Sequence, residues 1–395
     1  MLTRLCRHST SRSGFTRRVI AAGCPQQSIT MSQVANASSN ETERRSVREV
    51  VEMCNDVDHQ SGDILPILLR EESLVAHIGW ISSSSASLAY LLSTFSGAVS
   101  AAENATGSSG ASPITVEVTN QSPVGLSAVA IKFAGAQLTP VQRTANFKTI
   151  ADCLREAGLV RGWRDELYAV KPFSLLAVDE TDSTDGLGAI ERAVTTILGI
   201  PQFGVHALIY QNDGADADEK NIWIAQRSAT KATWPSCWDS TVAGGLGYQE
   251  NVDECMAREC QEEASLPEEV AKPLLRRRSM ISFGCVFDGQ GLFFDNDFVY
   301  DVKAPKDFKP VPEDGEVGCF EFVSANELLS RIQQPKKFPF LPSALLSCVD
   351  FLIRHKYIDA GDLPPLLRFQ PPKLDLSKYF AKDETAQIIK EVNEQ

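Results

Sequence analysis

Glu259, Glu262 and Glu263 lie three and four residues apart, and on an α-helix such positions share one face. Like charges brought together this way cost a few tenths of a kcal/mol per pair in an isolated helix, so a compensating cation is expected. Carboxylate oxygens are hard ligands. They suit Mg²⁺, or Mn²⁺ in its place, ions that keep several waters and also reach phosphate groups. Glu259, Glu262 and Glu263 are therefore the candidate metal ligands. Arg258 stands beside them, and its planar guanidinium is suited to clamp a carboxylate in one rotamer. Glu250 is expected to begin the helix at the positive end of its dipole, while Gly244, Gly245 and Gly247 free the preceding loop to fold back towards the acids. The plain alternative is a solvated acidic helix, which would need neither the glycines nor Glu250 and Arg258.

The rest of the chain must position that segment. With 395 residues, two domains plus some irregular sequence are expected. Lys and Arg number 38 against 51 Asp and Glu, a formal charge of -13, which repels a polyanion and argues against nucleic acid as the main partner. A small anion remains compatible if a metal or a local Arg/Lys cluster receives it. Ten cysteines without a CxxC pair or a Cys/His cluster give neither a zinc signature nor a disulfide framework. No apolar run is long enough for a membrane helix, so no membrane partner is expected. Nothing in the sequence addresses oligomeric state.

Residues 1–45 carry Arg4, Arg7, Arg12, Arg17 and Arg18 among serines and threonines, with no acid before Glu41. This is the make-up of a mitochondrial transit peptide, and Met31 offers an internal start that would leave a cytoplasmic form. Residues 46–199 are expected to form an N-terminal α+β domain. It would contain a helix from Val47, a strand-like segment at Leu74–Ile81 and a strand at Ala128–Phe133. A helix at Asn146–Ala157 stopped by Gly158, a turn at Asp182–Gly188 and a helix at Ala189–Leu198 would follow. The Ser/Ala/Gly-rich stretch 82–123 reads as a long insertion, with at most a short helix at Leu88–Phe95.

Residues 200–357 pair apolar runs at Val205–Gln211 and Asn221–Arg227, then at Ser279–Asp288 and Leu292–Val302. A strand at Cys319–Val323 and helices at Ala325–Ile332 and Pro342–His355 complete an α/β/α sandwich around a mixed sheet. Residues 358–395 read as a Pro-rich, then charged tail.

The segment Gly244 to Leu266 has the spacing of the Nudix box. A glycine is followed six residues on by Glu250, and eight residues further by Arg258-Glu-Cys-Gln-Glu-Glu263. Ser265 stands where a glycine is usual near the helix end, which bears on the turn rather than on the ligands. Beyond the box the chain resembles the eukaryotic Nudix group related to thiamin pyrophosphokinase. The segments concerned are Trp163–Tyr168, Ile190–Ala193, Gly204–His206, Val242–Leu246, Asp314–Val317 and Asp350–His355. The resemblance spans about residues 45–360 apart from the insertion and leaves out the kinase, so kinase activity is not expected.

It implies a metal-dependent diphosphatase taking a small-molecule diphosphate, in particular oxothiamin or oxythiamin diphosphate, to monophosphate and phosphate. Metal on Glu259, Glu262 and Glu263 would neutralise the diphosphate and help generate the attacking water. Glu263 and Glu316 are both candidates for the base, Glu316 also for an extra ligand. Nucleoside diphosphate compounds such as ADP-ribose or dinucleotides are the second substrate class, and a catalytically silent binding domain is the third reading. Arg227 and Lys231 are candidate phosphate contacts, Trp234 or Trp238 candidate stacking surfaces, and Gly244 and Gly245 are counted with the substrate-binding residues. For the tryptophans the alternative is packing at a sheet edge; Arg276, Arg277 and Arg278 read as a solvated helix end; His206 reads as a core histidine.

Overall fold

The computed structural model describes residues 44–55, 57, 63–72, 74–96, 114–119, 127–135, 137–173, 186–212, 219–287, 291–313, 315–369 and 374. The basic segment 1–43, most of the 97–126 stretch, most of the Asp182–Gly188 turn, Asp314 and nearly all of the tail beyond 369 lie outside the described residues.

The chain enters through α1 (Val47–Glu52), whose Ser46 cap and Glu49 form a reciprocal capping box. A four-stranded sheet follows, made of β1 (Ile64–Arg70), β2 (Val75–Ser82), β3 (Ile114–Thr119) and β4 (Ala128–Phe133) in the order β2-β1-β4-β3. β1 runs parallel to β4, and the other pairs are antiparallel. Ile67, Leu69, Ile78, Val129 and Ile131 of this sheet pack with Leu88 and Leu91 of α2 (Ala86–Thr94). Phe147, Ile150 and Leu154 of α3 (Pro140–Glu156) close the same core. The 82–123 stretch thus contains α2 and β3 as well as loop. Ile114 and Val116 alternate on one face of β3 and are buried, a short signal masked by the small residues around it. α3 begins six residues before the expected Asn146, because Thr139 and Gln142 form a capping box and Pro140 takes the first helical position.

β5 (Leu167–Val170) and β6 (Gly188–Glu191) form a two-stranded ribbon. The helix expected at Ala189–Leu198 is corrected here: residues 188–191 are strand, and α4 is the single turn Arg192–Thr195. Pairing with β5 across Tyr168↔Ile190 and burial of all four strand residues outweigh local helix preference. The next turn docks on the first sheet through two glycines. Trp80 N donates to Leu198 O at 3.0 Å. A Cβ on Gly79 would sit 2.2 Å from Leu198 O, and one on Gly199, at φ +54°, 2.2 Å from Trp80 O. No side chain fits between these backbones.

Among the described residues the second sheet has seven strands. They are β7 (Gln202–Gln211), β8 (Asn221–Arg227), β9 (Trp238–Asp239), β10 (Val242–Gly245), β11 (Leu275–Phe287), β12 (Gly291–Lys303) and β13 (Val317–Ser324). The main path is β11-β12-β7-β8-β13, with β10 paired to β7 and β9 to β8. β12 and β7 are parallel, so both are covered on both faces. On one face Val205, Ala207, Ile209, Phe298 and Tyr300 pack against Val252, Met256 and Cys260 of α5 (Val252–Ala264). α6 (Glu268–Ala271) continues that layer. On the other face Leu208, Ile224 and Val299 pack against α7 (Ala325–Ile332), α8 (Pro342–Arg354) and Val51 of α1. This is an α/β/α sandwich preceded by a smaller α+β unit. Arg276, Arg277 and Arg278 are on β11 rather than at a helix end, and Arg278 pairs with Asp301. No helix among the described residues is long and apolar enough to cross a membrane.

Candidate active site

β10 lies antiparallel on β7 with Gly245 opposite Gly204 and Ala243 opposite His206. The chain leaves β10, loops through residues 246–250, and starts α5 at Asn251, whose Oδ1 accepts from the backbone N–H groups of Asp253 and Glu254 at 2.9 and 3.1 Å. Glu250 therefore precedes the cap, a correction to its expected place in the first helical turn; Asp253 and Glu254 occupy that turn. Glu250 instead closes the loop, accepting from Gly247 N at 3.0 Å.

One guanidinium gathers the acids. Arg258 donates to Glu250 from Nε and Nη2 at 3.1 and 2.9 Å, and from Nη1 to Glu259 and Glu262, both at 2.9 Å. Its planar fork thus reaches three carboxylates at once. The three helix glutamates share a face but divide their attention. Glu263 is buried and accepts from Ala243 N at 2.9 Å. Glu259 lies against Gly244 so closely that a Cβ there would be 2.1 Å from its carboxyl carbon. Glu262, with its side chain 48% exposed, faces outward. Burial pushes the Glu259 carboxyl up to about 7, against the pull of Arg258 and helped by the charges of Glu262 and Glu316. The helix ends at Ser265 in the left-handed conformation (φ +53°), with its hydroxyl donating to Val311 O at 2.9 Å.

Among the described residues no three His, Cys, Asp or Glu side chains stand together as a ready metal cage; Arg258 holds three of the acids itself. The donor chemistry nevertheless fits a hard divalent cation. Glu250, Glu259 and Glu262 bring three carboxylates to one guanidinium, leaving an excess of negative charge on oxygen alone.

Glu316 precedes β13, and its carboxylate meets Lys231 Nζ at 2.5 Å. Burial alone would raise it, but the hydrogen bond and charge of Lys231, with the charges of Arg227 and Arg192, hold it below the usual carboxylate range. Its charge also helps to raise Glu259, so the two acids lie within electrostatic reach of each other. Arg227 is tied to Asp239 at 2.9 Å and donates to Thr233 O at 3.4 Å. Trp234, at φ +54°, packs partly buried on the α8 side of the sheet. Trp238 requires correction as a stacking surface: it is 6% exposed within the same core, and Arg331 covers its ring at 5.3 Å. Its place on a strand between β8 and the core leaves no face for a ligand.

Sequence reasoning passed over a second group on the opposite side of β10. The Tyr168 hydroxyl is 1.8 Å from where a Gly245 Cβ would be, and Arg192 Cζ is 3.7 Å from the same point. Arg192 also pairs with Glu166 at 2.8 Å. Asp297 of β12 is buried near them, and Asp295 of the same strand is partly buried within reach of the Arg192 charge. Burial pushes Asp295 up to about 6, against Arg192, and burial together with Asp295 pushes Asp297 well above its usual range. His206, expected in the core, is there: Nδ1 pairs with Ser240 Oγ at 2.9 Å and burial lowers its pKa to about 4, so the ring is neutral. A signal for the acids existed in Asp295-Asn-Asp297, three consecutive polar residues between the apolar runs Leu292–Phe294 and Phe298–Val299.

Residues 201–344 match the family model described as the NUDIX domain. The uncharacterized protein YJR142W of Saccharomyces cerevisiae is 35% identical over 222 residues, covering 53% of this chain and 60% of that protein. Nudix hydrolase 24, chloroplastic, of Arabidopsis thaliana is 32% identical over 222 residues, covering 55% of this chain and 56% of that one. The matched regions thus span little more than half the length of these relatives. A crystal structure of a C. elegans Ap4A hydrolase binary complex aligns with TM-score 0.27 and 16% identity over 39% of this chain and 98% of that one.

Proposed function

We propose that the Nudix domain formed by residues 201–344 of this chain is a metal-dependent hydrolase of diphosphate linkages. The observation that carries the reading is the set of carboxylates Glu250, Glu259 and Glu262 on one guanidinium, with Glu259 seated against Gly244. Such a concentration of acid from one helix and the loop before it has a use when a divalent cation and an anionic substrate arrive together. Glu259, Glu262 and Glu263 would hold Mg²⁺ or Mn²⁺, which supplies charge for the diphosphate and a more acidic water.

The chain's own groups divide the remaining work. Arg258 keeps the acids in register. Lys231 and Arg227, at the mouth of β8, face the phosphates. Glu316, held as an anion by Lys231, is better suited to binding a cation than to taking a proton, since a useful base titrates near the working pH. Of the two candidate bases this favours Glu263, which in that role would leave the ion to Glu259, Glu262 and Glu316. Tyr168 and Arg192 bring the preceding α+β unit to the organic end of the substrate.

For that organic end we propose a thiamin diphosphate derivative, oxothiamin or oxythiamin diphosphate, supported by the resemblance of Trp163–Tyr168, Ile190–Ala193 and the accompanying segments to the thiamin-related Nudix group. The test is phosphate release by purified protein with Mg²⁺ across a panel containing both thiamin derivatives and ADP-ribose. Metal-dependent orthophosphate from a thiamin derivative is the expected result. Nucleoside monophosphate from ADP-ribose alone would replace the substrate class, and silence across the panel, with and without metal, would remove the enzymatic reading.

A further inference from the structure

β9 has two residues, and a strand turns successive side chains to opposite faces. Trp238 enters the core shared with α8, so Asp239 emerges on the other face of the sheet, opposite Ala225 of β8 in the register. Arg227 lies two residues further along β8, which makes it the diagonal neighbour of Asp239, within reach of a long side chain. The two side chains meet. Arg227 Nη1 donates to Asp239 Oδ2 at 2.9 Å, with the guanidinium side chain 16% exposed and the carboxylate 6%. Asp239 is itself pinned, because its Oδ1 accepts from Ser240 N at 2.8 Å and the Ser240 hydroxyl pairs with His206 Nδ1 of β7 at 2.9 Å.

Little else orients the guanidinium. Among the described residues Nη2 reaches Thr233 O at 3.4 Å, and Nε is buried with no hydrogen-bond partner. A buried donor without an acceptor is costly, and a pair serving the fold alone gains nothing from leaving the fork incompletely used. The same clasp joins the two legs of the loop 228–237, whose base Arg227 N closes by donating to Cys237 O at 2.9 Å. Lys231 rides on that loop and meets Glu316, and the charge of Arg227 reaches the same carboxylate. One buried acid thus fixes both candidate phosphate contacts relative to the sheet.

We propose that Asp239 is a positioning residue, holding the Arg227 guanidinium and the loop that carries Lys231 in the orientation that receives a diphosphate. The inference rests on the diphosphatase reading and adds to it the group that aims the phosphate contacts. A pair that merely joined β8 to β9 would affect stability without distinguishing one ligand from another. What Asp239 serves is the second phosphate, whatever ring it carries.

The experiment uses the full chain and titrates thiamin diphosphate, thiamin monophosphate, ADP and AMP calorimetrically in Ca²⁺ buffer. Asp239→Asn removes a negative charge beside an anion site, which on Coulomb grounds alone tightens anion binding. Weaker binding therefore reports lost orientation. Asp239→Asn should weaken at least one diphosphate probe about fivefold or more and its monophosphate less than twofold. Arg227→Gln should do the same, and adding Asp239→Asn to it should cost no more than a further twofold, because the acid acts through the arginine. Unchanged or tighter diphosphate binding in Asp239→Asn, an equal loss for the monophosphate, additive losses in the double variant, or no binding of either diphosphate by the wild type would overturn the proposal. Arg227→Lys keeps the charge but has a single ammonium that cannot serve Asp239 and a phosphate as a fork does, so it should bind diphosphate as weakly as Arg227→Gln. If Asp239→Asn fails to fold by thermal unfolding, this variant decides, and affinity within twofold of wild type overturns the proposal. Orthophosphate release with Mg²⁺ is measured separately: its absence defeats the diphosphatase reading, while the titrations still judge the clasp.

Discussion

The two sides of β10 carry acids for different ends. On the α5 side, Gly244 admits Glu259, and the carboxylates there are satisfied by one strong cation, Arg258, within a segment of 23 residues from Gly244 to Leu266. On the opposite side, Gly245 admits Tyr168, and burial pushes the acids Asp295 and Asp297 above the usual carboxylate range, in Asp295 against the pull of Arg192. The first arrangement is a charged site awaiting more charge. The second is an inward-facing polar cluster, built from three stretches of chain far apart in sequence, with Tyr168 and Asp297 buried in it. A glycine pair in adjacent positions lets one thin strand serve both.

The sharpest way to break this division is to remove charge on the α5 side. Glu262→Gln and Glu263→Gln should each lower kcat by about 10³-fold, about 4 kcal/mol in the barrier, with the folded state retained. Turnover by purified variants, with far-ultraviolet circular dichroism as the control, checks this. Wild-type rates in both variants would show that the α5 acids are not the reacting side.

The opposite side should announce itself through acid stability. Unfolded His206 takes up a proton as pH falls through 6.5, whereas the folded ring does so only near 4. The unfolded state then binds more protons, and His206 costs up to about 3 kcal/mol of stability over that window. Asp295 runs the other way: folded, it binds its proton near 6 rather than 3.8, so stability is present below that range and lost as pH rises through it. His206→Asn removes the first effect and keeps the second. Urea unfolding at pH 6.5 and 4.5 should show the variant losing markedly less stability than wild type; parallel losses would mean the histidine is not held neutral.

The glycines test the comparison directly. Gly244→Ala drives a methyl into Glu259 and should raise the metal concentration for half-maximal rate about tenfold, a cost near 1.4 kcal/mol. Gly245→Ala meets the Tyr168 hydroxyl instead and should raise KM by a similar factor while leaving the metal titration in place. If both shift the metal titration alike, the two sides are one site.

Legibility in the sequence divides along the same strand. The Arg258 cluster could be read because helix geometry converts a local spacing into a shared face, and the layered sheet could be read from its paired apolar runs. Trp238 misled because an aromatic beside a phosphate candidate looks the same whether its strand turns it outward or into the core; only pairing with β8 decides. Tyr168, Arg192 and the Asp295–Asp297 pair were out of reach as a group, since no local pattern states that β5 and α4 meet over Gly245 and β12 beside them over Gly204. The Ala189–Leu198 segment failed for a related reason. Its strand exists through a partner some twenty residues earlier, which periodicity within the segment does not contain.

The smallest effect concerns how α5 is held in place for the acid side. Ser265 adopts φ +53°, where a side chain costs about 1 kcal/mol relative to glycine, yet its hydroxyl donates to Val311 O at 2.9 Å. A hydrogen bond of that kind returns about 1 kcal/mol. Ser265→Gly should therefore be nearly neutral, the relief of strain offsetting the lost bond, whereas Ser265→Ala keeps the strain, loses the bond, and should cost about 1 kcal/mol. Chemical denaturation of the two variants separates these effects. A glycine variant stabilised by a full 1 kcal/mol would mean the hydroxyl contributes nothing, and the serine would then be a tolerated strain at the end of the helix that carries the acids.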